Sequence, residues 1–436
     1  MTAPALIDDR MLVRDLANLV VSQDFFARTA GGEFFHYENG VYASGGEFFI
    51  RQRVKRLLLE HWKADRWNRR LAQEVVEFIL LDTPELDPTP SCSLVNLENG
   101  LLDIWTGELI PHSPSLRSTI RIPIRFDPQA TCPDVEEFIG QVFPKDSFEL
   151  AWEVLGDLLT PERSIQKAIC MVGEGGNGKG VFAQLAVSVV GPLNVSHFSL
   201  QRLEKDRFAV AGLYQKLANI CADLPSERLQ DSSLFKAVTG CDRITAEFKY
   251  RNPFEFTPFA RLIFSANHLP ASKDASTAYF DRWLVIPFEK RFRGTAHEVP
   301  RRKIDAKLAS GRELSGVLNR VLPALRRIRS KDQFTEAQSV RQQWKELQWA
   351  ADPLSLWLES ETVSSKSALV SQDEVHAAYA RDCLNANRPI MTKQMFGRCL
   401  RRLRPELKEV QRTAQGTKRW MYLGIAMRNG RSQSTG

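Results

Sequence analysis

Hydrophobic and polar positions change rhythm twice along the chain. In the first 90 residues the periods are short and mixed. Phe34-Phe35-His36-Tyr37-Glu38-Asn39-Gly40-Val41-Tyr42 reads as a hairpin turning at Asn39-Gly40, a pair that accepts the left-handed backbone of a tight turn. Residues 48–81 have helical periodicity, with Val54, Leu57, Leu58, Leu59, Trp62 and Trp67 on the apolar side. Asp82 to Ser91 holds three prolines and reads as a linker. A second hairpin follows, with Leu94–Leu97 and Leu101–Trp105 flanking Glu98-Asn99-Gly100, and Thr106-Gly107 makes another turn. Residues 134–160 return to a helical period.

From about residue 165 strand-like apolar runs alternate with helical stretches. The runs are Ala168–Val172, Leu217–Ala222, Leu262–Ala266 and Trp283–Ile286. This alternation predicts an α/β core on a parallel sheet. Residues 296–350 read as helical and charged, and 351–436 as a small separate unit. In that unit Thr392 caps a helix running to about Arg404, with Met395, Phe396, Cys399, Leu400 and Leu403 facing a core. An earlier helix spans roughly 371–384, and two strands flank Ala414–Lys418. Helix, helix, hairpin is the pattern of a winged helix. The expected domains are therefore 1–90 (an α+β region), 91–160, 161–295 (the α/β core), 296–350 (a helical connector) and 351–436 (a winged helix).

Composition narrows the partners. The chain has 436 residues, too many for one compact domain. With 43% hydrophobic and 25% charged residues, each domain has the means to bury a core, which excludes wholesale disorder. The net charge is +7, but residues 391–436 carry 11 basic and 2 acidic residues while the remainder is slightly acidic. A basic end on a nearly neutral body predicts a polyanionic partner, most simply nucleic acid. Seven cysteines without a CxxC pair argue against a disulfide scaffold or zinc ribbon and for a reducing compartment. Asp8, Asp9, Arg10, Arg14 and Asp15 interrupt any signal-peptide core. Gly180–Gln201 is uncharged but is broken by Gly191-Pro192 and polar residues, so no membrane segment is expected and the expected location is cytoplasmic.

The sharpest chemical signal is Gly173-Glu174-Gly175-Gly176-Asn177-Gly178-Lys179-Gly180, between a buried strand and a helix that opens near Val181. It fits GxxxxGK, in which backbone N–H groups cradle phosphates and the lysine reaches the β- and γ-phosphates. Gly173, Glu174, Gly175, Gly176, Asn177, Gly178, Lys179, Gly180 and Val181 are the candidate ATP-binding residues. Gly180 replaces the usual Ser or Thr, whose hydroxyl ligates Mg²⁺. Asp223 ends the next core strand and is the candidate for Mg²⁺ and the attacking water, with Ala222 where many such ATPases carry a second acid. Asn267 ends the strand after that and suits a γ-phosphate contact. Arg282, beside Asp281, is the candidate to reach a neighbouring subunit's γ-phosphate. Ile244–Phe256 alternates and turns near Arg251-Asn252-Pro253, giving a hairpin with Lys249 and Arg251 near its tip. In the last unit Lys393, Arg398, Arg401 and Arg402 lie off the apolar stripe, and Lys418 and Arg419 sit on the hairpin. All six are candidate duplex contacts.

The order of phosphate loop, Asp223, Lys236-x-x-Thr239-Gly240-x-Asp242, Ser265-Ala266-Asn267-x-Leu269-Pro270, then Arg282 before Ile286-Pro287-Phe288 resembles superfamily 3 helicases. More closely it resembles the phage and plasmid primase-helicase family that includes the poxvirus primase-helicase. Asn96–Asp103, Thr106-Gly107, Pro111–Pro114, Phe126-Asp127-Pro128 and Cys132-Pro133 resemble that family's pre-helicase segment. The resemblance implies an AAA+-type ATPase using ATP and Mg²⁺, a hexameric ring with ATP between subunits, and DNA in the pore gripped by the hairpin. It implies 3′ to 5′ movement and a role in replicating a phage, plasmid or other mobile element in a bacterial host cytoplasm. No paired-aspartate primase site is evident in the first 90 residues, so a separate primase or polymerase is an expected partner. Two other readings stand beside the motor: an initiator that binds and melts DNA without processive unwinding, and a structural ring or clamp loader with weak ATPase.

Overall fold

A computed structural model of the protein describes residues 12–428, apart from residues 30, 62, 88–90, 226, 228, 251, 268–275, 297, 352, 386–389 and 415–416. At residues 277, 345–351, 353, 355–356, 366, 402, 414 and 417 it describes the backbone alone. Contacts divide the chain into two units, Met1–Gln343 and Trp344–Gly436.

The first unit opens with α1 (Leu12–Val21), an antiparallel sheet of β1 (Phe26–Arg28), β2 (Phe34–Glu38) and β3 (Val41–Ser44), then α2 (Gly46–Glu60) and α3 (Arg69–Asp82). Glu38 pairs with Val41, so Asn39 and Gly40 make the turn with φ of 50° and 85°. The helical run expected over 48–81 is two helices, because Asn68 caps α3 by accepting the Leu71 N–H at 2.9 Å. That break resets the apolar face, leaving Leu59 and Trp67 56% and 43% exposed. Trp62 lies outside the described residues. Part of the expected linker is docked: the Arg28 N–H donates to the Pro84 carbonyl at 3.0 Å, and Leu86 N–H returns to Arg28 at 2.8 Å.

A meander of β4 (Leu94–Leu97), β5 (Gly100–Asp103) and β6 (Leu109–Ile110) leads to α4 (Pro133–Val142) and α5 (Phe148–Asp157). The α/β region follows. It contains β7 (Ala168–Val172), α6 (Lys179–Val190), β8 (Val195–Ser196), α7 (Leu200–Lys205), α8 (Arg207–Ala211), β9 (Ala218–Cys221) and α9 (Ser233–Gly240). Then come a hairpin of β10 (Ile244–Ala246) and β11 (Phe254–Phe256), β12 (Arg261–Ala266), α10 (Thr277–Phe280) and β13 (Trp283–Pro287). Five strands form one sheet in the order β13-β7-β12-β9-β8, each neighbouring pair parallel. Every residue of β7 and β12 is buried, which is why β7 reads as an unbroken apolar run and β12 as a largely apolar one that carries Arg261 and Ser265. β8 is two residues long and gave no pattern to read.

Two helices complete this unit, α11 (Arg301–Leu308) and α12 (Gly311–Lys331), and α13 (Gln338–Ala351) runs across the boundary into the second. One hydrophobic cluster runs from Val95 to Val340 and joins the meander, α4, α5, the sheet and α12. The boundaries expected at 160 and 295 therefore fall inside a shared core. Beneath the sheet Arg261 forks onto Asp157, with Nε and Nη2 at 2.9 and 2.8 Å from its two carboxylate oxygens, both residues buried. Burial alone pushes the Asp157 carboxyl upward, but Arg261, then Arg329 and Arg163, override that and hold it below its ordinary range.

The second unit contains α14 (Pro353–Glu361), β14 (Thr362–Ser371), α15 (Gln372–Asn385), α16 (Lys393–Leu403), β15 (Lys408–Ala414) and β16 (Thr417–Met427). Its antiparallel sheet has the order β14-β16-β15. Leu354, Trp357, Tyr379, Phe396, Leu400 and Ile425 form its core. Met395, expected to face that core, is 49% exposed, because the stripe centres on Phe396 and Leu400. Among the described residues no helix is long and apolar enough to cross a membrane.

Candidate functional site

The three central strands end side by side. Val172 of β7 pairs with Ala266 of β12, and Phe264 of β12 pairs with Cys221 of β9. The residues that follow (Gly173, Asn267 and Ala222-Asp223) therefore emerge at one edge of the sheet. The chain leaves β7 toward one side and β12 toward the other, which opens a crevice at that edge. An open cavity of about 670 Å³ lies there, lined by the phosphate loop, Asp223, Asn267 and helices α4 and α11. Its size suits a nucleotide.

The loop that separates β7 from α6 depends on glycine at several tight positions, Gly176 and Gly178 among them. Gly176 has φ 82°, and a side-chain carbon there meets Arg293 Cβ at 2.5 Å. Gly178 has φ 93°, and a side-chain carbon there meets Val142 Cγ1 at 2.7 Å. Any larger residue is strained in the backbone and blocked in space at both. The loop leads into the first turn of α6, whose free N–H groups make an anion site. Lys179 opens that helix and folds back on the loop. Its Nζ donates to the Gly173 carbonyl, to the Glu174 carbonyl at 3.2 Å and to Asn177 Oδ1 at 3.1 Å. Asn177 is itself fixed by donating to the Phe288 carbonyl at 2.8 Å. Burial pushes the Lys179 ammonium below the ordinary lysine range, while Cys170 and Asp223 act the other way. A phosphate entering the loop would give this buried cation a counter-charge.

Asp223 is exposed within the cavity, and the Leu224 N–H next to it donates to the Ser265 carbonyl at 2.9 Å. Asn267 is exposed in the same cavity. A magnesium ion bound mainly through phosphates and water needs one or two carboxylates. Asp223 meets that minimum, although Gly180 offers no hydroxyl. Among the described residues no three His, Cys, Asp or Glu side chains group together as an all-protein metal cage.

Arg282 does not join this group. It precedes Trp283, which pairs with Ala168 at the start of β7. It is thus at the opposite edge of the sheet, about 15 Å from the phosphate loop by strand rise. Its Nη1 donates to the Ala278 carbonyl at 2.7 Å, and its Nε is buried without a partner among the described residues. The cavity holds cations that sequence reasoning missed. Arg293, Arg301, Lys303 and Lys307 line it. They follow Lys179 by more than a hundred residues and sit in a stretch that reads as a charged surface. The one available signal is Arg301-Arg302-Lys303 in the first turn of α11, where the helix dipole disfavours positive charge.

The β10–β11 hairpin is shorter than its alternation suggested. Three pairs form, from Ile244–Phe256 to Ala246–Phe254, and the described tip residues are 247–250 and 252–253. Phe248 stacks on Phe254 at 5.0 Å, bracing the tip from behind. Lys249 is exposed, with Nζ 6.0 Å from the Phe208 ring, and Tyr250 is fully exposed with φ 64°. Arg251 lies outside the described residues.

In the second unit Thr392 Oγ1 caps α16 by accepting the Met395 N–H at 3.3 Å. Arg398 and Arg401 line an open groove with Lys393 and Trp420. Acids neutralise part of this face: Lys393 pairs with Asp373, and Arg401 with Glu409 at 2.8 Å. Lys418 and Arg419 are exposed on β16. Arg412 of β15 lies directly opposite Arg419, a like-charge pairing that costs stability unless an anion covers it. Of Arg402 only the backbone is described.

Known proteins share parts of this organisation. A family described as D5 N terminal like matches residues 23–144, a family of unknown function (DUF5906) matches residues 171–282, and the RFX DNA-binding domain matches residues 353–429. The helicase-named L207/L206 protein of Acanthamoeba polyphaga mimivirus is 25% identical over 211 residues, 46% of this chain and 22% of that protein. The helicase-named 121R protein of Invertebrate iridescent virus 3 is 25% identical over 226 residues, 48% of this chain and 24% of that protein. The chain thus spans less than a quarter of the length of these relatives. Among solved structures, the apo NrS-1 C terminal region is similar with a TM-score of 0.57 at 11% identity, covering 94% of this chain and 98% of that one. Its A form gives the same TM-score at 10% identity. The D5 N terminal like match and the helicase-named viral relatives are likenesses over part of the chain, and the NrS-1 C terminal region shares its fold.

Proposed function

We propose that this chain is an ATP-driven DNA helicase that serves replication of a phage, plasmid or other mobile element. The single observation that carries this is the meeting of the phosphate loop, Asp223 and Asn267 in one nucleotide-sized cavity at adjacent strand ends. In this reading the first unit has an AAA+-type superfamily 3 core and the second is a winged helix. Lys179 leaves the loop carbonyls and pairs with the β- and γ-phosphates. Asp223 is the protein ligand for Mg²⁺ and orients the attacking water, and Asn267 contacts the γ-phosphate. Bound Mg²⁺ would supply charge neutralisation of the phosphates.

Arg282 is too far from its own loop to act there, so its role requires a second copy of the chain, as in a hexameric ring. Lys249 and Arg251 grip the backbone of single-stranded DNA without sequence choice. Movement from 3′ to 5′ follows from the family resemblance. The second unit binds duplex through α16 and the β15–β16 hairpin, a reading that the RFX DNA-binding domain match supports. A separate primase or polymerase completes the replication machinery, and the bacterial host cytoplasm is the proposed setting.

Gly180 and the lone acid at Asp223 favour one other reading, an initiator that binds nucleotide and remodels DNA without processive unwinding. Strand displacement on a forked duplex separates the two. The motor reading expects ATP-dependent displacement by the full chain, and Lys249→Ala should hydrolyse ATP while displacing little. Displacement equal to wild type in Lys249→Ala removes the hairpin from the mechanism. No displacement by wild type despite ATP turnover favours the initiator.

A further inference from the structure

We propose that Arg301 takes the place of the missing phosphate-loop hydroxyl, so that this cavity holds nucleoside triphosphate through a guanidinium and depends little on a divalent cation for affinity. The inference rests on the nucleotide reading of the cavity and adds how its phosphates are held.

Position 180 is where a hydroxyl would stand, and here it is glycine. A side-chain carbon built at Gly180 comes within 3.4 Å of Arg301 Nη1. The space a serine or threonine would enter is therefore bounded by a guanidinium. Arg301 Nη2 donates to the Gly180 carbonyl at 3.1 Å, and Nε donates to Asp305 Oδ2 at 3.3 Å. These are the resting contacts of a side chain that is 61% exposed and lines the cavity. It is free to turn to a bound phosphate, and a guanidinium offers a fork that matches phosphate oxygens.

A second observation points the same way. Arg301, Arg302 and Lys303 crowd the first turn of α11, where the helix dipole repels cations. An anion in the cavity removes that cost. Lys307, further along α11, is already taken by Asp134 at 2.7 Å. Lys303 also lines the cavity, but Arg301 is the cation of this helix whose guanidinium meets Gly180 of α6. The chemistry exchanges a hydroxyl–metal–phosphate bridge for a direct charge-assisted hydrogen bond.

The test is fluorescent ATP-analogue binding to the full chain, in Mg²⁺ and in EDTA, for wild type, Arg301→Ala, Arg301→Lys, Gly180→Ser and Lys179→Ala. Chelation should weaken wild-type binding by less than about threefold, and Arg301→Ala should lose about tenfold or more in EDTA, one charge-assisted contact. Arg301→Lys should recover part of the loss. Gly180→Ser should make binding more sensitive to EDTA. Wild-type binding that falls by about thirtyfold or more on chelation, with Arg301→Ala equal to wild type in both buffers, overturns the inference and leaves the nucleotide reading intact. Absence of saturable wild-type binding in both buffers, or binding indifferent to Lys179→Ala, removes the nucleotide reading and this inference with it.

Discussion

Under the proposed function, the glycine-rich loop of the first unit and the basic face of the second would meet the same group, phosphate, and they are built in opposite ways. The loop holds its anion site with backbone N–H groups and one largely buried lysine fixed by three acceptors. The α16 face relies on exposed side chains, some of them already paired with acids. A rigid buried site is selective and loses almost everything when one atom is removed. An exposed site is additive, salt-sensitive and tolerant of single losses. The difference teaches that one chain can carry a fixed, buried cation in one unit and a redundant, exposed set of cations in the other.

The largest effect tests the rigid side. Lys179→Ala should abolish measurable nucleotide binding by the full chain, a loss of at least about a hundredfold, since a charge-assisted contact at the centre of the cradle disappears. Calorimetric titration checks it, and a loss below about threefold would break the contrast. Next comes Arg282→Ala. It should bind ATP as wild type does but lose about a hundredfold or more in turnover, as the proposed role at another subunit's site requires. Normal hydrolysis by this variant removes the trans assignment.

The frame under the cavity is the third target. Asp157→Asn leaves Arg261 buried without its counter-charge and should cost about 3–5 kcal/mol of stability. Urea unfolding of the full chain measures it. The Asp157 carboxyl titrates below its ordinary value of 3.8 in the folded protein. Its contribution is therefore complete above that value and is lost as pH falls through the lowered one. Wild type should lose stability in that acid window more steeply than Asp157→Asn. The smallest effect belongs to the exposed side. Arg398→Ala should weaken duplex binding only a fewfold and lower the salt slope by about one, without changing nucleotide affinity. A loss as large as that of Lys179→Ala would erase the distinction between the two sites.

The same contrast governs what could be read from sequence. The phosphate loop is contiguous and its physics is local, so its strand, glycines and lysine were legible together. The four longer strands of the sheet were legible because burial on both faces writes mainly apolar runs, broken only at Asn219, Arg261 and Ser265. Arg301 was not, since its meaning comes from α11 meeting α6 across more than a hundred residues. Leu59, Trp67 and Met395 were placed inward because periodicity fixes a stripe but not where a cap ends it or where the stripe is centred. β14 was missed because Thr362–Ser371 is mostly short polar residues that gain strand character from pairing with β16. The distance of Arg282 from its own loop followed from strand order, which no local pattern reveals.

The central claim is that the cavity is an ATPase engaged with DNA. The most direct measurement is ATP hydrolysis by the full chain, with and without single-stranded DNA, beside Lys179→Ala. The account predicts hydrolysis that DNA stimulates and that the variant lacks. Nucleotide binding with no turnover in either condition would contradict it.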